Sequence, residues 1–210
     1  VISLSERLSA VASLVTPGSR IADIGCDHGY VSAYLVSGGI AVSAVAADVN
    51  IGPLKSCQSL IDSMGLGCFV DVRLCNGLDG IDEAECDTVI IAGMGGELIA
   101  SILAKCPYIK KKSLVLQPMT HPEAVREFLF KNGFEIERDI IVAEGRRSYC
   151  VIRAVPGSAP VEYNQVDLYL GRIQDFSDKN YFNKLKNTLE NRQKGGADYS
   201  AVIDRIKEIL

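Results

Sequence analysis

Ala22-Asp-Ile-Gly-Cys-Asp-His-Gly29 holds the residues best equipped for chemistry in this chain. It lies between a short apolar run ending at Ile24 and an apolar helical pattern starting at Tyr30. The order strand, glycine-hinged loop, helix is the local geometry of a nucleotide-type cofactor site. Gly25 and Gly29 are in place, but Asp27, next to His28, replaces the middle glycine of a dinucleotide fingerprint. In a dinucleotide fold that glycine lets the backbone approach a pyrophosphate at a helix N-terminus. A carboxylate there repels phosphate and suits a cationic or amine-bearing ligand. S-adenosylmethionine, with a sulfonium and an amino group but no phosphate, fits better than NAD.

Asp48 ends the second apolar run, about 20 residues beyond the glycine loop, where an acidic residue can take both ribose hydroxyls. Asn50 follows, and Pro53 suits the first turn of the next helix. Asp71 and Asn76-Gly77 bracket the end of a third strand, either as groups for an adenine edge or simply as a turn. Asp87-Thr-Val-Ile-Ile-Ala-Gly-Met-Gly-Gly96 is a strand delivering a triple-glycine loop at the edge where α/β ligands bind. Bare backbone there admits both a cofactor's methyl end and a flat substrate, and Met94 suits an adenine face. In Leu114-Val-Leu-Gln-Pro-Met-Thr-His121, Gln117 is placed to hydrogen-bond a base edge, whereas His121 reads as the neighbour of a helix start. Arg7, on the first helix, reaches either a cofactor carboxylate or only water. Arg146, Arg147 and Tyr149 supply two cations and a stacking surface suited to nucleic acid, or a solvated hairpin tip. Lys110-Lys-Lys112 reads as a solubility feature.

These residues need elements to hold them. Ser3-Leu-Ser-Glu6 is a capping-box pattern opening a helix whose apolar face runs to Thr16, before Pro17-Gly18. Strands are expected at Arg20–Gly25, Val42–Asp48, Cys68–Leu74, Asp87–Ala92, Ser113–Gln117, Glu135–Ala143 and Ser148–Ala154. Helices are expected at Tyr30–Val36, Pro53–Met64, Glu97–Lys105 and Pro122–Asn132. The early strands are continuously apolar, as parallel strands covered on both faces are. Glu144-Gly-Arg-Arg147 is too short for a crossover, so the last two strands form an antiparallel hairpin. The expected fold is α/β, a Rossmann-like doubly wound sheet with one reversed strand. After Pro156-Gly-Ser-Ala-Pro160 the chain turns polar, with apolar residues at helical spacing and a break at Gly195-Gly196. The division expected is a cofactor-binding domain over 1–156 and a C-terminal helical hairpin domain over 157–210.

Composition sets bounds. The chain has 210 residues, 48% hydrophobic and 23% charged, with a net charge of -4, which disfavours a nonspecific nucleic-acid binder without excluding a local basic patch. No apolar run approaches the roughly 20 residues needed to span a bilayer, and the first residues lack the pattern of a signal peptide. The seven cysteines form no C-x-x-C pair. No metal site is expected, and free thiols in apolar runs point to a reducing cytoplasm.

Taken in order, the motifs ADIGCDHGY, AADVN, CNGLDG, IIAGMGG, LQPM and EGRRSY resemble the bacterial tRNA (adenine-22-N1)-methyltransferase family (TrmK), within the class I S-adenosylmethionine-dependent enzymes. The likeness covers nearly the whole chain, including a C-terminal coiled-coil domain. GMGG stands where other adenine methyltransferases carry an Asp/Asn-Pro-Pro-aromatic motif. One departure is Met119, where the family pattern has asparagine after the proline of LQP. The resemblance implies cofactor contacts from Gly25, Asp27, His28, Gly29, Asp48, Asn50, Asn76, Gly77 and Gly93–Gly96, including Met94 and Gly95. The flanking Asp23, Cys26, Val49 and Leu78, and Arg7, complete the candidate set. It also implies tRNA as substrate, with the C-terminal helices holding the tRNA body.

The expected reaction is direct transfer of the methyl group to N1 of adenine, with Gln117 and the Gly93–Gly96 backbone positioning the base and Asp27 taking a proton. The rival readings are a methyltransferase acting on a small molecule or protein, and a non-catalytic cofactor-sensing module using its apolar C-terminal helix to engage a protein. A dinucleotide enzyme is disfavoured by Asp27.

Overall fold

The computed structural model describes residues 2–210. A seven-stranded sheet runs in the order β3-β2-β1-β4-β5-β7-β6. Its strands are β1 (Ser19–Ile24), β2 (Ala41–Asp48), β3 (Val70–Leu74), β4 (Thr88–Gly95), β5 (Ser113–Thr120), β6 (Phe134–Glu144) and β7 (Arg147–Pro156). The first five are parallel, and β7 is antiparallel to both β5 and β6. Chain order reverses between β1 and β4, so the loops leaving these two strands part and open a crevice.

The apolar runs read as buried strands because consecutive residues serve opposite faces. Ile21 and Ile90 join one core with Val11, Leu35 and Ile61, under α1 (Glu6–Ser13), α2 (Tyr30–Ser37) and α3 (Ile51–Ser63). Ala22, Ile24, Val89 and Ile91 join the other with Ile99, Leu103 and Leu129, under α4 (Gly96–Lys105) and α5 (Pro122–Lys131). Either face would be exposed if its helices were absent, which is why the runs show no polar alternation.

Several local expectations are corrected: β3 starts at Val70 and not Cys68, and α3 starts at Ile51, ahead of Pro53. The cap of α1 is Ser5, whose Oγ accepts from the Leu8 amide, and not Ser3; the helix also stops at Ser13, short of Thr16. β4 and β5 run past Ala92 and Gln117, because Met94 pairs with Pro118 and Gly95 with Thr120 after register shifts. The glycine-rich segment is therefore mostly a bulged strand end, and Gly96 already belongs to α4. A Cβ at Gly96 would overlap the His121 carbonyl, so glycine there lets α4 start against the β5–α5 connection.

Beyond β7 come α6 (Gln165–Leu170), α7 (Lys179–Gln193) and α8 (Ser200–Ile209), around Leu170, Phe182, Leu189, Val202 and Ile206. Arg126 on α5 joins them to the sheet. It is fully buried. Its Nε and Nη2 donate to the Asp139 carboxylate at 2.8 and 3.1 Å, and its Nη1 donates to the carbonyls of Leu168 and Tyr169 at 2.9 and 3.1 Å. Those carbonyls end α6 and have no partner within the helix. Burial works against the Arg126 charge, but the Asp139 carboxylate outweighs it and raises the guanidinium pKa well above its ordinary value. Among the described residues, no helix is long and apolar enough to cross a membrane.

Candidate functional site

The crevice at the carboxyl ends of β1, β2 and β4 holds a cavity of about 590 Å³, within the roughly 300–1,000 Å³ typical of small-molecule sites. Its shape starts at the first loop. The amides of Gly25 and Cys26 donate to the Ala47 carbonyl at 2.8 and 3.0 Å, binding the β1 exit to β2. Asp27 takes a left-handed conformation, φ 51°, which aspartate tolerates better than most residues. Its amide donates to Asp48 Oδ2 at 3.3 Å, while its own carboxylate stands 3.6 Å from His28 Nε2 in an exposed position. Gly29 caps α2 with φ 73°, and a Cβ there would overlap the Cys57 thiol of α3. Any side chain at Gly29 would push α2 and α3 apart.

Three carboxylates and one guanidinium line the cavity: Asp23, Asp27, Asp48 and Arg7. Asp23 is buried and accepts from Ser32 Oγ at 2.8 Å. Burial pushes its carboxyl up to about 6, partly offset by the Ser32 hydroxyl. Asp48, at the end of β2, accepts from the Asn50 amide at 2.8 Å and Asn50 Nδ2 at 3.2 Å. A carboxylate offers about four lone-pair sites, so these bonds orient Asp48 and still leave it able to take hydroxyl donors. Hydrogen bonding with Cys57, then burial, pushes the Cys26 thiol up, leaving it a neutral wall residue.

Arg7 comes from α1, at the opposite rim. Its Nη1 donates to Gln117 Oε1 at 2.6 Å, its amide donates to Glu144 Oε1 at 3.1 Å, and its guanidinium lies 5.7 Å from the Tyr149 ring centroid. One residue thereby ties together α1, β5 and the β6–β7 hairpin.

The structure brings most of the candidate residues to one cavity. Arg7, Asp23, Gly25, Cys26, Asp27, His28, Asp48, Val49, Asn50, Asn76, Gly77, Gly93 and Met94 all line it. Four others are placed differently. Gln117 is fully buried: its Oε1 accepts from Arg7 and from the Gly93 amide, and its Nε2 donates to the Pro118 carbonyl at 3.0 Å. Its amide is spent on the fold, so its role is to position Arg7 and the β4 exit instead of touching a base. Leu78 is a core residue. Gly29 lies behind the wall as a packing contact, and Gly95 pairs with Thr120 on the far side of β4. Asp71 is likewise held by Arg73 and lies off the cavity wall.

Sequence reasoning missed the apolar wall made by Leu98 and Ile102 of α4. Their i, i+4 spacing directly after the glycines was the available signal, since such pairs share one helix face. It also missed Glu144, which carried no local mark because its partner Arg7 is 137 residues away.

The donor set fits a sulfonium cofactor. Carboxylates outnumber cations, Asp48 suits a pair of hydroxyl donors, Arg7 suits a carboxylate end, and Met94, Leu98 and Ile102 offer an apolar wall. Comparisons with known proteins point to the same cofactor. A family model described as a methyltransferase domain matches residues 4–152. The tRNA (adenine(22)-N(1))-methyltransferase of Bacillus subtilis (strain 168) is 36% identical over 174 residues, 82% of this chain and 73% of that protein. The crystal structure of Streptococcus pneumoniae Sp1610 in complex with S-adenosyl-L-methionine matches with a TM-score of 0.86 at 32% identity, over 99% of this chain and 100% of that one. The structure of M. capricolum TrmK in complex with S-adenosyl-homocysteine matches with a TM-score of 0.81 at 26% identity, over 98% and 96% of the two chains.

Proposed function

This chain belongs to the family of tRNA (adenine(22)-N(1))-methyltransferases, and we propose that it methylates N1 of an adenine in tRNA, at position 22, using S-adenosylmethionine. The observation that carries this reading is the cavity at the β1 exit, where Asp23, Asp27 and Asp48 face a single guanidinium. Such a wall attracts a positively charged donor and repels a diphosphate.

The bound cofactor supplies an electrophilic methyl group on a sulfonium sulfur. Asp48 holds the ribose hydroxyls, with Asn50 fixing its orientation. Asp23 faces the amino group and Arg7 the carboxylate, while Met94, Leu98 and Ile102 flank the adenine. Adenine N1 has an in-plane lone pair, so no residue has to create the nucleophile, and the protein contributes mainly alignment. The target base must leave its pairing partner, at a cost of a few kcal/mol. The Gly93 backbone, held by Gln117, offers the flat edge on which it settles. Methylation leaves a cationic base; Asp27, exposed at the mouth, is the carboxylate placed to accept the proton that the exocyclic amine then loses.

Residues 1–156 form the cofactor-binding part in this reading, and residues 157–210 steady the tRNA body. The reaction belongs in the cytoplasm, with its tRNA substrate. Incubation with isotope-labelled S-adenosylmethionine and unmodified tRNA, followed by nucleoside mass spectrometry, tests the reading. Labelled 1-methyladenosine is expected. Label on another nucleoside, or on protein alone, would overturn it.

A further inference from the structure

A second cavity, of about 370 Å³, lies beside the first and is lined by Met119, Thr120, Arg147, Ser148, Tyr149, Tyr181 and Lys184. It is enclosed by the end of β5, the β6–β7 hairpin and α7. Arg7 lines the first cavity and stands over the Tyr149 ring of the second. Gln117, behind the Gly93 wall, donates from Nε2 to Met119 Sδ at 3.6 Å.

Their charges are opposite. The second cavity has no carboxylate on its wall and two exposed cations. The Arg147 side chain makes no hydrogen bond or ion pair among the described residues. Lys184 donates only to the Arg146 carbonyl, at 3.1 Å, and has no acidic partner there. α7, Lys179-Asn-Tyr-Phe-Asn-Lys-Leu-Lys-Asn-Thr-Leu-Glu-Asn-Arg-Gln193, carries four cations and one carboxylate in a chain whose net charge is -4. Of these, Arg192 is paired with Glu123, whereas Lys184 reaches the cavity without an acidic partner. Ser148 and Thr120 add hydroxyl donors at the same wall.

We propose that this second cavity seats a backbone phosphate of the RNA next to the methylated adenosine, with Arg147 and Lys184 as its charged contacts. The proposal rests on the reading of tRNA as the acceptor. A target base entering over Gly93 carries its own phosphodiester within a nucleotide's reach, and the wall it meets beyond Tyr149 is the basic one. Contacts of this kind set register and hold the strand while carrying no sequence information themselves.

Arg147→Gln and Lys184→Met test it, with Lys110→Ala, at the opposite end of β5, as the control cation. Thermal melting and calorimetric binding of S-adenosylmethionine are expected to match the wild type in all three. The KM for unmodified tRNA should rise about tenfold or more in each of the first two, with kcat within twofold and a shallower dependence of log KM on log salt. The control should leave KM unchanged. An unchanged KM in both variants, an equal rise in the control, or a loss confined to kcat would overturn the phosphate seat. Absence of any tRNA methylation by the wild-type chain would instead overturn the acceptor reading, and this site with it.

Discussion

The acidic cavity at the β1 exit and the basic cavity beyond Tyr149 share a wall but are built by different means. The first is made by strand ends and the loops directly after them, so Asp23, Asp27 and Asp48 arrive from two neighbouring strands that must lie side by side. The second needs a strand end, a hairpin and a helix from the far end of the chain. The parallel strands with α1 and α4, all within the first part of the chain, create a place for a charged small molecule. A place for a polyanion requires the C-terminal helices to be docked, and the buried Arg126 does that docking.

The strongest way to break this contrast is Arg126→Met. It strands the Asp139 carboxylate in the core and releases the α6 carbonyls. Breaking a buried pair from one side costs about 3–5 kcal/mol, so the melting temperature should fall steeply. At a temperature where the variant is folded, S-adenosylmethionine affinity should stay within a few-fold while tRNA affinity drops; equal losses of both would mean the two cavities do not stand on separate supports.

Asp23→Asn sharpens it from the acidic side. Asp23 titrates near 6 when folded, above its ordinary 3.8, because it is buried. The protonated form is thus favoured by folding, and that stabilisation is complete below about pH 3.8 and lost as pH rises through 6. The cofactor-free variant should be more stable than wild type at pH 8, by up to about 3 kcal/mol, and equal to it at pH 3.5. Thermal melts at the two pH values check this. A gain that persists at low pH would remove burial of charge as the cause. Cofactor binding by the wild type should strengthen between pH 5 and 7 as Asp23 ionises to meet the ammonium, and the asparagine variant should lose that dependence.

Asp48→Asn removes a charged acceptor and should weaken S-adenosylmethionine binding about 10- to 100-fold, with tRNA binding alone unchanged in a gel-shift measurement. The smallest perturbation is salt. Raising it from 50 to 200 mM should weaken tRNA binding about tenfold for every two phosphates held, and leave cofactor affinity within about twofold.

Some of this was written locally. The runs ending at Ile24, Asp48 and Ala92 announced strands covered on both faces, and the residues following them were bound to meet at one edge, since parallel strands all exit the same way. Hence the majority of cavity residues could be named from short motifs. Gln117 was placed correctly along its strand, but its amide is taken up by Arg7, Gly93 and Pro118 and is not left free for a base edge. Its orientation depends on how β5 keeps pace with the bulged end of β4, which no short motif encodes. Arg7 was a candidate only because it sat on an early helix; its hold on Gln117, 110 residues away, is a property of packing.

The order of elements, the sheet with its reversed strand, and a carboxylate-rich loop hostile to phosphate all followed from residue types and spacing, because hydrophobic period and backbone sterics act over a few residues at a time. The joining of Arg126 to Asp139 and to the carbonyls of α6, and the meeting of Arg147 with Lys184, followed only from folding. Which charged groups come to stand near one another is decided by distance in space, and that distance does not exist until distant segments have packed.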